Sequence, residues 1–343
     1  MNHLNNRKEK AIMKDLVKKL TEAYGPSGNE SEVAELIKQE ITPFVDEVKL
    51  DKLGSAIAIK KGHGAKVMLA AHADEIGLIV THIDKEGFLR FDIVGGVSAF
   101  RLTGLRVIFA NGQVGVIDAE KGDPASAGID KLFIDIGAVS KEDAESRVSI
   151  GDFAAFRQDF VDLGTRAIAK AFDDRIGCVV LIEAAKRMKN SPNEVFFVFT
   201  VQEEVGLRGA TASAYSVDPD IGIAVDVTRT GDMPESPTME VSLGKGPAIK
   251  IKDSGIISNP KVKELLVQTA KELGIPYQME ILTGGATDAS SIEKTRSGVP
   301  SGVISVPTRH LHTPSEMVDM NDVEGCIKLL VAVLEKDLRS LGF

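Results

Sequence analysis

The sequence predicts an α/β fold in which a mixed, mostly parallel sheet is flanked by helices and a small β-rich domain is inserted into the chain. Two observations support this prediction. Near both ends of the chain, apolar runs of strand length alternate with amphipathic helical patterns, which is typical of a sheet covered by helices. Between residues 76 and 163, short alternating strands and turn signals replace the helices, which indicates a second structural unit.

Length, charge and composition restrict the class of protein. The chain has 343 residues, enough to bury a large core and to hold two domains. Its net charge of −9 argues against a nucleic acid or an anionic membrane as partner. The apolar runs are shorter than the roughly 20 residues of a membrane-spanning helix, and the N-terminus lacks the apolar stretch of a secretory signal. We therefore expect a cytoplasmic enzyme whose two cysteines, Cys178 and Cys326, lie in the helical core rather than in a disulfide.

The N-terminal part of the chain predicts two helices and then strands. Apolar residues at four-residue spacing predict an amphipathic helix over residues 10–23, ended by Gly25-Pro26. Ser27 and Glu30 have capping-box spacing, which predicts that a second helix starts at Ser27. Strands are expected at 45–50, 56–60 and 67–71.

The middle of the chain predicts a small, barrel-like β domain. Its strands are expected at 77–83, 88–94, 106–110, 114–117, 132–136 and 153–156. Asn111-Gly112 joins two of them as a hairpin turn. Helices and strands alternate again afterwards, with helices expected at 175–188, 260–273 and 322–341 and strands at 195–201 and 221–228. We therefore predict a discontinuous catalytic domain, residues 1–75 and 164–343, and an inserted domain, residues 76–163.

Acidic residues and histidines follow several of the apolar runs. They are His72 and Asp74, Glu203 and Glu204, Asp226, and the pair His310 and His312. In open α/β sheets the ligand site lies beyond the carboxyl ends of the strands. Carboxylates and imidazoles gathered at one edge would repel one another or require a cation, and a pair of divalent metals is the simplest solution.

Single motifs leave alternatives open. In His72-Ala73-Asp74 the carboxylate can fix the second nitrogen of a metal-bound imidazole, or His72 can be an ordinary loop residue. Asp173-Asp174 can cap the following helix, or one aspartate can bridge two metals while Arg175 compensates the charge of the other.

Glu203 and Glu204 give the sharpest local signal. Adjacent carboxylates at the end of a buried strand are unfavourable unless one of them binds a metal, and the other can then act as a general base. Two solvated loop glutamates are the alternative interpretation. After the last apolar run, either His310 or His312 could be a ligand on spacing alone.

Taken in order, these motifs resemble the M42 family of metallo-aminopeptidases, which includes the tetrahedral (TET) and the glutamyl aminopeptidases. Some members have also been described as endoglucanases, under the name cellulase M. The matching segments stand in the family's order and cover essentially the whole chain. They are G-P-S-G at 25–28, A-H-A-D-E-I-G at 71–77, A-F-D-D-R-I-G at 171–177, V-Q-E-E-V-G at 201–206, A-V-D-V-T at 224–228, G-A-T-D-A at 285–289 and R-H-L-H-T-P-S-E at 309–316.

The resemblance implies two divalent metal ions, Zn²⁺ or Co²⁺, per subunit. His72, Asp173 and Asp226 would hold one ion. Asp173, Glu204 and His312 would hold the other, with Asp173 bridging. The choice of His312 over His310 rests on the resemblance, because the family's histidine stands just before Ser/Thr-Pro.

The resemblance also implies the reaction and the assembly. Glu203 would be the general base, which takes a proton from a water molecule held between the metals and passes that proton to the leaving amine. Asp74 would orient His72. The expected activity is the removal of N-terminal residues from peptides by a zinc-exopeptidase-like domain. Residues 76–163 would form the dimerisation domain of a hollow homo-oligomer, a dodecamer built from dimers, that admits only peptides.

Two other functions are compatible with parts of the pattern. An endoglucanase-type glycoside hydrolase would use Glu203 and Glu204 as its carboxylate pair, but adjacent residues at a strand end point apart and the chain has no Trp for sugar stacking. An inactive peptide-binding scaffold would have lost a ligand or Glu203, whereas every position is filled. Residues 284–288 are expected to line the specificity pocket, and the preferred N-terminal residue stays open.

Overall fold

The computed structural model describes residues 2–120 and 128–343, and side chains from residue 11 onward. The helices are α1 Asn2–Glu22, α2 Ser31–Ile41, α3 Lys141–Glu145, α4 Phe172–Arg187, α5 Arg208–Val217, α6 Pro260–Glu272, α7 Ala289–Ile292 and α8 Met320–Leu334. The strands of the first half are β1 Glu47–Leu50, β2 Ala56–Lys60, β3 Lys66–His72, β4 Gly77–Ile83, β5 Leu89–Val94, β6 Arg106–Phe109, β7 Val114–Ala119, β8 Leu132–Asp135 and β9 Phe153–Phe156. Those of the second half are β10 Val161–Asp162, β11 Arg166–Ala169, β12 Glu194–Thr200, β13 Ile221–Thr228, β14 Ala248–Lys252, β15 Gln278–Ile281, β16 Ser301–Arg309 and β17 Glu316–Asp319.

Most strands outside the middle segment belong to one large mixed sheet. Its order is β1-β2-β12-β3-β13-β16-β17-β11-β10, with β14 and β15 attached at β16. The four central strands, β12, β3, β13 and β16, are parallel neighbours, while the strands on either side pair antiparallel. The predicted fold class is confirmed, and the parallel pairing lies mainly in the centre, where both faces are buried.

Helices cover both faces of this sheet. On one face α4 is buried along nearly its whole length and packs against α1 and α8. The core there also includes apolar residues of α2 and α6, while α5 and α7 cover the other face. Cys178 and Cys326 are buried free thiols, as predicted. Among the described helices, none combines the length and apolar character needed to cross a bilayer.

The strands between β3 and β10 form a small closed barrel. Their order is β4-β5-β8-β7-β6-β9, and β4 pairs with β9 to close the ring. The barrel encloses its own apolar core, which includes Leu78, Phe91 and Ile134. The predicted Asn111-Gly112 turn joins β6 to β7, and Gly112 has the left-handed φ of 85° that favours glycine. Closure leaves this unit without open strand edges.

Three predicted helix ends were wrong. α1 starts at Asn2 rather than at residue 10. α2 starts at Ser31 rather than at Ser27, because the Ser27 hydroxyl donates to Asp74 Oδ2 at 2.6 Å instead of capping the helix. α8 ends at Leu334 rather than at 341. Its last carbonyl accepts hydrogen bonds from the side chains of Ser191 and Asn193, 2.7 and 2.9 Å away, and these distant contacts end the helix.

Candidate metal centre and active site

The candidate site lies where the four central strands end. β3 ends at His72, β13 carries Asp226, and the loops after β12 and β16 carry Glu203-Glu204 and His312. Thr200, the last residue of β12, pairs in register with His72. Because these strands are parallel neighbours, their carboxyl ends meet at one edge of the sheet and bring the predicted residues together.

Asp173 lies between two histidines. It stands at the start of α4, in a non-helical conformation, and is joined to Asp174 by a cis peptide bond. Its Oδ1 lies 2.9 Å from His72 Nε2, and its Oδ2 lies 3.2 Å from His312 Nε2. The two oxygens of one carboxylate therefore contact two imidazoles, that of His72 at the end of β3 and that of His312 in the loop after β16.

Two overlapping groups of side chains have ligand atoms close enough to hold a metal ion. In one group His72, Asp174 and Asp226 offer atoms within 4.8 Å of one another, and in the other His72, Asp173 and Glu204 do so. The sequence analysis gave no ligand role to Asp174. Its Oδ2 also accepts the main-chain N–H of His72 at 3.2 Å, so it fixes the end of β3 as well.

The two histidines of the loop after β16 differ in their surroundings. His312 Nε2 lies 3.8 Å from Glu204 Oε1 in addition to its contact with Asp173. Its Nδ1 lies 2.9 Å from the carbonyl oxygen of Gly96 in the barrel segment, an arrangement that leaves Nε2 free as a ligand atom. His310 is exposed.

The site holds buried negative charge that needs a counter-charge. Burial raises the pKa of Asp174, and the charge of Asp226 adds to this rise. Burial and the charge of Asp173 raise the pKa of Glu204 to about 7. Glu204 Oε1 is buried and makes no hydrogen bond to a described residue. Crowded carboxylates of this kind fit a bound cation, whose charge reverses these shifts.

The donor set also fits divalent metals. Burial alone would raise the pKa of Asp173, but the hydrogen bonds to His312 and His72 outweigh it and hold that pKa well below its usual range. The carboxylate is therefore charged and ready to bind. Imidazole nitrogens mixed with carboxylate oxygens suit Zn²⁺ and Co²⁺.

Glu203 lies beside the candidate metal ligands. Its side chain is 11% exposed, and its Oε2 lies 3.9 Å from His72 Nε2. Burial raises the pKa of Glu203 well above its usual range; His72 opposes the rise, while Asp226 and Asp288 add to it. A carboxylate with this environment is suited to accepting and releasing a proton.

The Asp74 carboxylate has several partners. His72 Nδ1 lies 3.1 Å from the Asp74 carbonyl oxygen and 3.5 Å from its Oδ1. The carboxylate oxygens accept the main-chain N–H groups of Glu203 and Glu204 at 3.0 and 3.2 Å. Asp74 therefore holds the loop after β12 as well as facing His72, a second contact that the sequence analysis missed.

Glu316 is a further residue without a predicted role. It is buried, and its two carboxylate oxygens accept the main-chain N–H groups of Asp173 at 2.9 Å and of His312 at 3.0 Å. It thus ties together two loops that carry candidate ligands. The only sequence signal was its place at the end of the R-H-L-H-T-P-S-E segment.

The role expected for Arg175 was wrong. Its guanidinium does not face Asp174 but lies 3.5 Å from Glu75 Oε1 and donates to the carbonyl oxygen of Leu20 at 2.8 Å. Lys170 joins the same buried cluster, 2.7 Å from Glu75 Oε2. These charges fasten the end of α1 to the sheet.

Residues 284–288, the predicted specificity loop, approach the site at one point. Asp288 is buried and accepts the hydroxyl hydrogen of Thr200 at 2.5 Å. That this loop lines the specificity pocket stays a prediction.

Fold and site together define a class of protein. Carboxylates and histidines grouped beyond the carboxyl ends of a parallel sheet centre, with one carboxylate between two imidazoles, form the arrangement of a metal-dependent hydrolase.

Comparisons with known proteins agree with this class. A family model described as M42 glutamyl aminopeptidase matches residues 54–329. A relative from Acetivibrio thermocellus is 52% identical over 328 residues, covering 95% of this chain and 99% of the relative. The lysyl aminopeptidase of Pyrococcus furiosus is 38% identical over 346 residues, covering 96% and 98%. A solved aminopeptidase from Desulfurococcus kamchatkensis superposes with a TM-score of 0.92 at 41% identity, covering 95% of each chain.

The chain therefore belongs to the M42 family of aminopeptidases, which are metal-dependent peptide hydrolases. The resemblance found in the sequence motifs is thus confirmed at the level of the family, the fold and the class of enzyme.

Proposed function

We propose that the protein removes N-terminal residues from peptides at a centre of two divalent metal ions, with Glu203 as general base. The observation that carries this proposal is the position of Asp173, whose two carboxylate oxygens face the imidazoles of His72 and His312. A carboxylate placed in this way is suited to bridging two cations, and Glu203 stands next to it.

The proposed ligand sets are those that the family resemblance implies. His72, Asp173 and Asp226 would hold one ion, and Asp173, Glu204 and His312 would hold the other. When bound, Zn²⁺ or Co²⁺ ions supply an acidified water and polarise the scissile carbonyl.

The chain's own groups do the rest of the chemistry. Glu203 accepts the proton of the attacking water and delivers it to the nitrogen of the leaving group, as expected for a largely buried carboxylate with a raised pKa. Glu316 and Asp74 hold the main chain of the ligand-bearing loops in place. The carboxylates of the site provide the counter-charge for the free α-ammonium of a peptide.

The glycoside hydrolase alternative has no support in this geometry. Glu203 Oε2 lies 3.9 Å from His72 Nε2 and Glu204 Oε1 lies 3.8 Å from His312 Nε2, so both carboxylates lie beside imidazoles of the candidate metal centre, which is not the arrangement of two carboxylates facing each other across a sugar. An inactive scaffold is equally unsupported, because every proposed ligand and the base are present and converge.

We further propose that the protein assembles into a large homo-oligomer through residues 76–163. A solved structure of Pyrococcus horikoshii TET1 peptidase, 36% identical with a TM-score of 0.86, is described as assembling into a tetrahedron or a large octahedral shell. In this chain the middle segment exposes Phe100, Val139 and Ile150, which supports an apolar contact there. Assembly as a dodecamer built from dimers and action on peptides in the cytoplasm complete the proposal.

Replacement of Glu203 by Gln tests the proposed function. Glu203→Gln keeps the shape of the side chain but removes the base, so turnover of aminoacyl-p-nitroanilides should fall by about two to four decades. Metal content per subunit should stay at the parent level. Glu35→Gln, on the exposed face of α2, is the matched control and should behave as the parent. Near-parental turnover by Glu203→Gln would disprove the assignment of the base.

A further inference from the structure

The loop that carries the proposed general base is held by carboxylates from distant parts of the chain. We call residues 202–204 the base loop. The main-chain N–H of Gln202 donates to Glu30 Oε1 at 3.1 Å. The N–H groups of the next two residues donate to Asp74 Oδ1 at 3.0 Å and Oδ2 at 3.2 Å. All three main-chain N–H groups of the base loop therefore donate to carboxylate oxygens, which are stronger acceptors than neutral groups.

Glu30 stands at the N-cap of α2 but does not cap that helix. An N-cap side chain ordinarily accepts an N–H from the first turn of its own helix, and Glu30 makes no such bond. Its Oε1 instead accepts the N–H of Gly28 at 2.6 Å and that of Gln202. Only 6% of the residue is exposed. This buried carboxylate therefore joins the main chain at Gly28 to the base loop instead of capping the helix.

Ser27 fixes the other acceptor. Its hydroxyl donates to Asp74 Oδ2 at 2.6 Å, and its main-chain N–H donates to the carbonyl oxygen of Glu75 at 3.1 Å. Glu75 in turn donates its N–H to Gly25 at 3.1 Å. The G-P-S-G-N-E segment is thus tied alongside the residues after β3, and this contact sets the orientation of the Asp74 carboxylate.

The base loop needs such support because its backbone is strained. Gln202 has a φ of 55°, in the left-handed region, which is unfavourable for a residue with a Cβ. A conformation of this kind persists only where its surroundings enforce it. Here it turns the chain at the end of β12 and presents Glu203 beside His72.

We infer that Glu30 and Ser27 are positioning residues for Glu203, acting through the main-chain amides of the base loop. The inference rests on the proposed function, because it assigns these residues to the geometry of the proposed base. Neither side chain acts on the substrate. Glu30 holds the amide before Glu203 directly, and Ser27 holds Asp74, which accepts the amides of Glu203 and Glu204.

Variants of Glu30 test the inference with two independent readouts. In Glu30→Ala the amide of Gln202 loses its acceptor, so hydrogen exchange in a peptide spanning 201–206 should become faster. A displaced base should lower kcat by about tenfold or more, since a misplacement of about 1 Å can cost a hundredfold. KM and metal content should stay within about twofold of the parent, because Asp74 still holds the amide of Glu204, the proposed metal ligand of this loop.

The matched variants separate positioning from a general structural role. Glu30→Gln keeps an acceptor at Oε1 and should restore both kcat and slow exchange. Glu35→Ala removes a glutamate of α2 whose carboxylate, among the described residues, accepts hydrogen bonds only from Lys38 and Gln39, and it should match the parent in every measurement.

Several results would overturn the inference. These are parental kcat or unchanged exchange in Glu30→Ala, a Glu30→Gln protein as poor as Glu30→Ala, or an activity loss that only follows loss of metal. If Glu30→Ala does not fold, Ser27→Ala against Ser27→Thr carries the same comparison, since threonine keeps the hydroxyl. Failure of the proposed function looks different: Glu203→Gln would then turn over like the parent, while the exchange result would still decide whether Glu30 holds the base loop.

Discussion

At the scale of single residues, the two carboxylate oxygens of Asp173 contact different histidines. Each faces an imidazole from a different strand, and those hydrogen bonds keep the carboxylate ionised although only 8% of the residue is exposed. Among the described residues, neither Asp174 nor Asp226 is hydrogen-bonded to an imidazole, and burial raises the pKa of each. The centre therefore combines one carboxylate whose pKa the two imidazoles lower with others whose pKa burial raises, and a bound cation would lower the pKa of the latter.

The same geometry separates the two histidines of the loop after β16. His312→Ala should lose one metal ion per subunit and most of the activity, because its Nε2 faces Asp173 and Glu204. His310→Ala should keep both ions, because that side chain is exposed. Metal analysis of the two purified variants decides between them. The reverse pattern would move the ligand to His310.

At the scale of elements, the loop after β5 in the barrel segment touches the proposed metal centre. The Gly96 carbonyl oxygen lies 2.9 Å from His312 Nδ1, and a Cβ at Gly95 would come within 3.0 Å of Glu204 Oε2. The loop after β5 thus lies against side chains proposed as ligands. A segment predicted to serve assembly also shapes the site.

Replacing Gly96 by Ala should therefore disturb metal binding. The new methyl group would come within 2.6 Å of His312 Cε1, closer than atoms can pack, so the imidazole must move. We expect Gly96→Ala to bind the ion held by His312 more weakly, which titration with Zn²⁺ measures. Gly284→Ala, which would meet nothing within 4 Å, is the control for metal content. Equal affinities in both variants would show that the contact is unimportant.

A buried ionic cluster fastens another pair of elements. Lys170 is 3% exposed and lies 2.8 and 2.7 Å from the two oxygens of Glu75, near the end of α1. Lys170→Met should cost about 3–5 kcal/mol of unfolding free energy, because it leaves a buried carboxylate poorly paired.

The exposed pair of Lys336 and Glu272 gives the comparison. Lys336→Met should cost about 1 kcal/mol or less, since solvent screens that pair. Denaturant unfolding measures the free energy of unfolding of both variants. Equal losses in the two variants would show that the buried pair contributes no more to stability than the exposed pair.

The elements also show how far the sequence could predict this structure. Apolar runs ending in His72 or leading to Asp226 predicted the central strands and most of the site, because strand period and strand-end chemistry are local signals. The contacts of Glu30 and Glu316 could not be predicted, since a carboxylate that accepts a main-chain N–H leaves no mark on its partner's residue type. The contact of Gly96 with His312 could not be predicted either, because it is made by a main-chain carbonyl oxygen, which every residue has.

At the scale of the whole molecule, the barrel and the large sheet have separate cores. The site is built from loops of the sheet, with the Gly96 contact added from the barrel. Val139, 88% exposed, and Ile150, 61% exposed, present apolar surface on the barrel segment, away from the proposed ligands in sequence. The assembly proposal takes these two side chains as candidates for a contact between subunits.

The last prediction concerns assembly. We expect light scattering or sedimentation of the parent protein to show a large closed homo-oligomer, of twelve chains if the proposal is right in full. A charge placed on the apolar surface by Val139→Asp with Ile150→Asp should shift the mass to smaller species, because desolvating a carboxylate in an interface is unfavourable. Metal content should be retained, since neither position touches a proposed ligand. A parent protein that is a stable, fully active monomer in dilute solution would refute the assembly proposal, and it would leave the proposed peptidase chemistry intact because that rests on the ends of the central strands.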